Sequence, residues 1–272
     1  MRLRGTQGNQ TVRNSLKQVF ALGRCSSVLN STCLTVLCVV FPLQTTAAPA
    51  DALFRYATNA YYAGDYTQAA NAFAQAASLL PTSGTLQNLG NAEWQRGHIG
   101  HAILAWEQAL WLDPFHNHAH NNLHFGRRSA QVETPELSWY EVVSTWLPAN
   151  WWAWVAALSL WISVGISTVP GILRWRKASW HQALAAFGLA IFLLSLPAHL
   201  GVSTRSKLGF VLLKDTPLRL TPTAEAQFIT RLPAGEPGRL ERIRGKYLLI
   251  RCSHASGWVE QNQFGLICSA PG

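Results

Sequence analysis

Two long stretches without charge constrain this chain more than any other feature. No Asp, Glu, Lys or Arg occurs from Val142 to Leu173, and none from Ala178 to Thr204, where only His181 and His199 can titrate. Each window exceeds the ~20 residues that a helix needs to cross the hydrocarbon core of a bilayer. The expectation is a helix hairpin with spans near residues 151–172 and 182–203, joined by a short loop at 173–181. Trp151, Trp152 and Trp154 at one end, and Trp175 and Trp180 between the spans, sit where interfacial aromatics belong. Neither window carries the carboxylates or arginine rows of a transporter or voltage sensor, so the hairpin reads as an anchor. Composition agrees: 49% of the 272 residues are hydrophobic, 12 are Trp and only 13% are charged. That balance excludes disorder and argues against a purely cytosolic single-domain enzyme.

Charge sets the expected orientation. Arg174, Arg176 and Lys177 place the loop between the spans in the cytoplasm, and the acidic flank Glu133, Glu136 and Glu141 fits the opposite side. Arg205, Lys207, Lys214 and Arg219 after the second span outnumber the loop, but folded domains translocate largely regardless of charge. The leading segment fixes the direction. Arg2, Arg4, Arg13, Lys17 and Arg24 precede the mostly apolar Val28–Leu43, and small residues follow at 45–50. This pattern reads as a secretory signal cut after Ala50, with an uncleaved anchor as the alternative. Either way, both soluble parts are expected on the periplasmic side of a bacterial inner membrane. The net charge of +9 is spread as +5 over 1–50, −4 over 51–150 and +8 over 151–272. The largest soluble segment is therefore acidic, which excludes nucleic acid as a partner.

The segment 51–131 repeats itself. Gly64 pairs with Gly97, Ala69 with Ala102, Phe73 with Trp106, Ala76 with Ala109 and Pro81 with Pro114, each pair 33 residues apart. Small residues let two helices approach, Phe73 and Trp106 fill the space between layers, the glycines permit a turn and the prolines end a helix. The order resembles the tetratricopeptide repeat, a helix–turn–helix unit. The second unit carries Leu86, Leu89, Gly90, Gly97, Ala102, Trp106, Ala109 and Pro114; the first departs at Ala60, where an aromatic is usual. Because repeats are stabilised by stacking, Ala119–Ala130 is expected to form a third, capping helix. The inner surface expected from the first helices offers Tyr61, Tyr62, Gln87, Asn91 and Trp94 to a peptide or partner helix. The competing reading is that Tyr61 and Trp94 pack on the cap. Residues 132–150 form a juxtamembrane segment, in which 137–147 reads as a short amphipathic helix on the outer surface.

Residues 207–269 change period. Runs at 209–214, 227–232, 238–243, 246–252 and 257–260 are short and rich in strand formers, with turn residues between them. They read as a small barrel. Leu218-Arg219, Leu232-Pro-Ala-Gly235 and Gly257-Trp258-Val259 resemble the bacterial SH3 domain, although Tyr247 and Thr221 stand where that family often has Trp and Gly. Some members of that family bind cell-wall peptides, and others only pack against their own proteins. Cys252 ends one strand and Cys268 lies at the last. Outside the cytoplasm such a pair points to a disulfide worth roughly 3 kcal/mol, with unbridged thiols as the alternative. His116, His120 and His124 would share a helix face, with His118 beside them, but no Cys or carboxylate joins them closely. They read as the solvated start of a helix, with no metal. There is no phosphate-binding glycine loop, nucleophile elbow or Cys-x-x-Cys. No catalytic set and no cofactor are expected, and the chain reads as no enzyme.

The expected fold class is thus a multidomain membrane protein: all-α tetratricopeptide repeats, a transmembrane helix hairpin and an all-β SH3-like barrel. That order resembles the BatE-type proteins of bacterial aerotolerance (Bat) operons over residues 51–268. The resemblance implies a non-enzymatic scaffold held at the inner membrane, whose repeats dock membrane proteins carrying von Willebrand A domains. The other reading is a cell-envelope sensor that binds peptidoglycan through its barrel.

Overall fold

A computed structural model of the chain describes residues 47–173 and 179–268. The basic leader and the basic turn at 174–178 lie outside the described residues, as do the expectations resting on them.

The helical part is built from two hairpins and a fifth helix. Helix α1 (Ala47–Tyr62) pairs with α2 (Tyr66–Leu79), α3 (Ser83–Gln95) pairs with α4 (Ile99–Leu112), and α5 (Asn117–Ala130) follows. The hairpin turns fall at Gly64 and Gly97, whose φ angles of 81° and 77° lie in the left-handed region that glycine enters without strain. Asp65 caps α2 by accepting the Gln68 N–H at 2.9 Å, and Thr82 caps α3 by accepting the Thr85 N–H at 3.1 Å. Phe73 and Trp106, the expected large residues, are both 2% exposed. Gly90 and Gly126 leave the space that the Trp106 indole fills, since a Cβ at either would strike the ring. The 33-residue spacing thus becomes two equivalent helical hairpins with equivalent cores.

A short helix α6 (Trp139–Ser144) leads into two long ones, α7 (Ala149–Ile172) and α8 (Ser179–Arg205). Both are long and apolar enough to cross a membrane, with mean hydropathy 1.7 and 2.0. At ~1.5 Å per residue each exceeds the ~30 Å of a hydrocarbon core. Their seam consists of small residues. Gly188 sits against the Ser159 carbonyl and Ser163, and the Ser163 hydroxyl donates to the Ala185 carbonyl at 2.7 Å. Large apolar side chains such as Trp154, Trp161, Phe187 and Leu194 point outward. Small residues inside and large apolar ones outside is the arrangement of helices packed in lipid.

The C-terminal part is an antiparallel sheet of β1 (Leu208–Val211), β2 (Thr216–Arg219), β3 (Phe228–Leu232), β4 (Pro237–Arg244), β5 (Tyr247–Arg251), β6 (Ser256–Glu260) and β7 (Phe264–Leu266), in the order β3-β2-β6-β5-β4-β1-β7. Five strands fall where the strand-forming runs predict them. Two more, β2 and β7, escape that reading because they are four and three residues long and β2 contains Pro217.

The helical part and the sheet are not separate beads. All four residues of β1 are buried. Leu208 and Phe210 join the core of the helices, while Val211 joins the core of the sheet with Leu218, Ile250, Val259 and Phe264. Helix α4 lies along β1 and β7, and the Gln108 amide donates to the Leu266 carbonyl at 3.2 Å. Gly100 makes the approach possible, because a Cβ there would collide with the backbone carbonyls of Val211 and Leu212. Neither backbone can yield, so Gly100→Val is expected to destabilise the folded chain by about 1–3 kcal/mol. A denaturant midpoint unchanged from the parent protein would show that α4 and β1 do not meet in this way.

Candidate functional site

The first helices present fewer free side chains than the sequence predicts. Asn91 faces inward: its Oδ1 accepts the Trp106 indole N–H at 3.1 Å and the Asn122 amide at 2.7 Å, tying α3 to α4 and α5. The Gln87 carbonyl accepts the same indole N–H at 3.2 Å. Trp94 packs between Trp106 and Phe125, with ring centroids 5.8 and 5.7 Å away. Asn91 and Trp94 thus take part in the packing of α5 on α3, which the competing reading named for Trp94 and not for Asn91. Tyr61 is half-buried against Tyr66. Tyr62 alone of the five stands clear, 84% exposed at the end of α1. Phe125 on α5 is a second exposed aromatic on this side. Phe125 has no sequence signal of its own, because an aromatic on a capping helix fits closure of the layer as well as an open surface.

The densest polar structure lies elsewhere, where α4, α5, α6, α8 and β4 converge. The Ser138 N–H donates to Glu141 Oε2 at 2.8 Å at the start of α6, which turns the Glu141 carboxylate inward. There it is fully buried and receives both Arg239 nitrogens of β4, Nη1 at 2.6 Å and Nη2 at 2.8 Å. Arg239 Nη2 also donates to the Glu136 carbonyl at 2.9 Å. Arg205, buried at the end of α8, donates to Ser144 Oγ at 3.3 Å and lies 5.1 Å over the Trp111 ring of α4. Glu107 of α4 pairs with Arg127 of α5, whose guanidinium is 5.8 Å from the Phe210 ring of β1.

Burial pushes the Glu141 carboxyl up, but the hydrogen bonds from Arg239, Ser138 and Thr204 outweigh it and hold it below the usual carboxylate range. A paired, hydrogen-bonded carboxylate with both oxygens occupied is a clamp and not a proton donor. The signals in the sequence were Glu107 within the apolar run of α4 and Glu141 within the apolar 137–147. An acid on such a face needs a buried cation.

Cys252 corrects the expected bridge. It carries a free, buried thiol, so the Cys252–Cys268 disulfide is not formed. Cys252 follows β5, and its sulfur points into the sheet core beside Phe264 and Gly238. Cys268 follows β7, which is separated from β5 by β4 and β1 in the sheet. Burial, and secondarily Glu236, pushes the Cys252 thiol up to about 12. The Cys252 thiol is therefore expected to resist iodoacetamide at pH 8 in the folded chain and to react on unfolding. Labelling of Cys252 at the native-state rate of a free thiol would contradict its burial.

Two of the histidines at 116–124 bond to the backbone. His116 caps α5 by accepting the Ala119 N–H at 3.3 Å, and His120 Nε2 lies 3.0 Å from the Pro114 carbonyl. Among the described residues no three His, Cys, Asp or Glu converge as metal ligands would. Set against known proteins, the chain matches no family model, no curated protein and no solved structure.

Proposed function

We propose that this protein is a non-enzymatic scaffold of the bacterial inner membrane. The helices α7 and α8 anchor it, and the helical layer and barrel face the periplasm, where tetratricopeptide-like hairpins dock membrane proteins. By the resemblance to BatE-type proteins, the partners are membrane proteins with von Willebrand A domains. The small antiparallel sheet is read as an SH3-like barrel whose first role is to brace the helices. The observation that carries this reading is the unequal use of the helical layer's two sides. Helix α4 is buried against the sheet, while the side formed by α1 and α5 keeps Tyr62 and Phe125 exposed. A rigid layer with one side occupied and an aromatic-bearing side open is what repeat scaffolds present to partners.

The test is photo-crosslinking of the full chain in native membranes, with a benzophenone amino acid at Tyr62 or Phe125. The expected result is a discrete adduct with an integral membrane protein, missing when the benzophenone replaces exposed Leu213 between β1 and β2. Absence of any protein adduct from Tyr62 and Phe125, in a chain that is folded and membrane-bound, would contradict the scaffold reading.

A further inference from the structure

Helix α6 is inside out for a helix in water. Glu141 and Ser144 are buried, while Trp139 and Trp146 are 68% and 62% exposed and Val142 is exposed between them. The helix lies across the last turns of α8, with Gly201 against the Tyr140 carbonyl. Its apolar face therefore looks outward at the level where α8 ends.

The register of the soluble body against α8 shows what else lies at that level. Along α4, Gly100 meets Val211 and Leu212, Gln108 meets Leu266, and Trp111 lies over Arg205, the last residue of α8. The C-terminal end of α4 thus points back toward α8; its last residue Leu112 and Phe115 in the loop after it are exposed. Strand β4 runs antiparallel to β1, with Phe210 opposite Pro237 and Leu208 opposite Arg239. It continues five residues past that pair to Arg244, about 16 Å at ~3.3 Å per residue, in the same direction as α4. The tip of the β4–β5 hairpin is basic and exposed: Arg242, Arg244 and Lys246 surround exposed Ile243. Arg242 and Arg244 form no ion pair among the described residues, whereas neighbouring Arg251 is paired with Glu241.

We infer that these three features form one membrane-resting face: the apolar side of α6, the loop at Phe115 and the basic β4–β5 tip sit in the headgroup layer of an anionic bilayer. This rests on the reading that α7 and α8 cross that bilayer. Exposed Trp and Phe together with exposed Arg and Lys are the composition that binds the acyl–headgroup boundary and its anionic lipids. A protein partner would need to cover all three elements together, whereas a bilayer around α8 meets them without further contacts. The face would hold the helical layer at a fixed angle to the membrane and leave Tyr62, at the opposite end of the hairpins, free.

The experiment uses the full chain in vesicles of phosphatidylethanolamine and phosphatidylglycerol, with a benzophenone amino acid at one of five positions, and mass spectrometry of the adducts. Positions 115, 142 and 243 should give lipid adducts, Tyr62 should give several-fold fewer, and Trp161 on the outer side of α7 reports the span itself. Arg242→Glu with Arg244→Glu should lower adducts at 243 several-fold, as should omission of phosphatidylglycerol, with those at 161 unchanged. Lipid adducts at 161 without any at 115 and 243, or adducts at those positions to a second copy of the chain, would overturn the resting face and leave the span intact. Equal yields at 62 and 115 would overturn it too. No lipid adduct at 161 would remove the span and the face together.

Discussion

Trp106→Ala is expected to lower the stability of the helical layer by about 4 kcal/mol, the largest single-residue effect in the chain. The indole is 2% exposed and wedged between Gly90 and Gly126, so its removal leaves a cavity that rigid helix backbones cannot fill. It also strips the donor from Asn91 Oδ1, which is shared with Asn122 of α5. The capping helix should therefore loosen along with the hairpin. Trp106→Phe retains most of the apolar volume and should cost about 1–2 kcal/mol through the lost hydrogen bonds. Denaturant unfolding in detergent, followed by near-ultraviolet circular dichroism, measures both. A loss below about 1 kcal/mol for the alanine variant would mean that Trp106 does not hold the layers together.

Arg239→Ala is expected to cost about 3 kcal/mol, because it leaves the buried Glu141 carboxylate without its cation. Glu141→Gln should cost less alone, and the double variant should fall well short of the sum, since both act on one pair. Additive losses would contradict the clamp. The pH dependence has a defined sign. The folded carboxyl of Glu141 lies below its ordinary value of 4.5, so the stability it contributes is present above pH 4.5 and is lost as pH falls through the lower folded value. Arg239→Ala should therefore lose most of its difference from the parent protein in acid. Glu236 opposes this trend. Burial and Glu133 hold it above 4.5, so its contribution is present below that pH and is lost as pH rises through the raised value. It does not touch Arg239, and its effect should be the same in both proteins.

Much of the architecture was legible because it is written in periods. The charge-free windows mark α7 and α8 to within a few residues, and the 33-residue spacing marks both hairpins, since burial of Phe73 and Trp106 imposes it. What was not legible depends on contacts between distant segments. Nothing in the local pattern says that Leu208 and Phe210 would face α4 instead of solvent, or that Arg239 would reach Glu141 across 98 positions. The cysteines mislead for the same reason: two cysteines 16 residues apart look close until the sheet order puts two strands between theirs. Asn91 and Trp94 look like surface residues because they are polar or amphipathic on a first helix. Their partners, Trp106, Asn122 and Phe125, lie on other helices and come together only on packing. The short strands β2 and β7 hold their places through neighbours and not through their own propensity.

The helical layer and the sheet pack on each other at the end of α8, so a bilayer crossed by α7 and α8 must leave both on one side. Labelling of Tyr62→Cys and Ser256→Cys variants in intact spheroplasts with a membrane-impermeant maleimide tests this directly. Both introduced thiols should react before lysis, each above the background of the parent protein. Reaction at one position only, with the other labelled just after lysis, would contradict it.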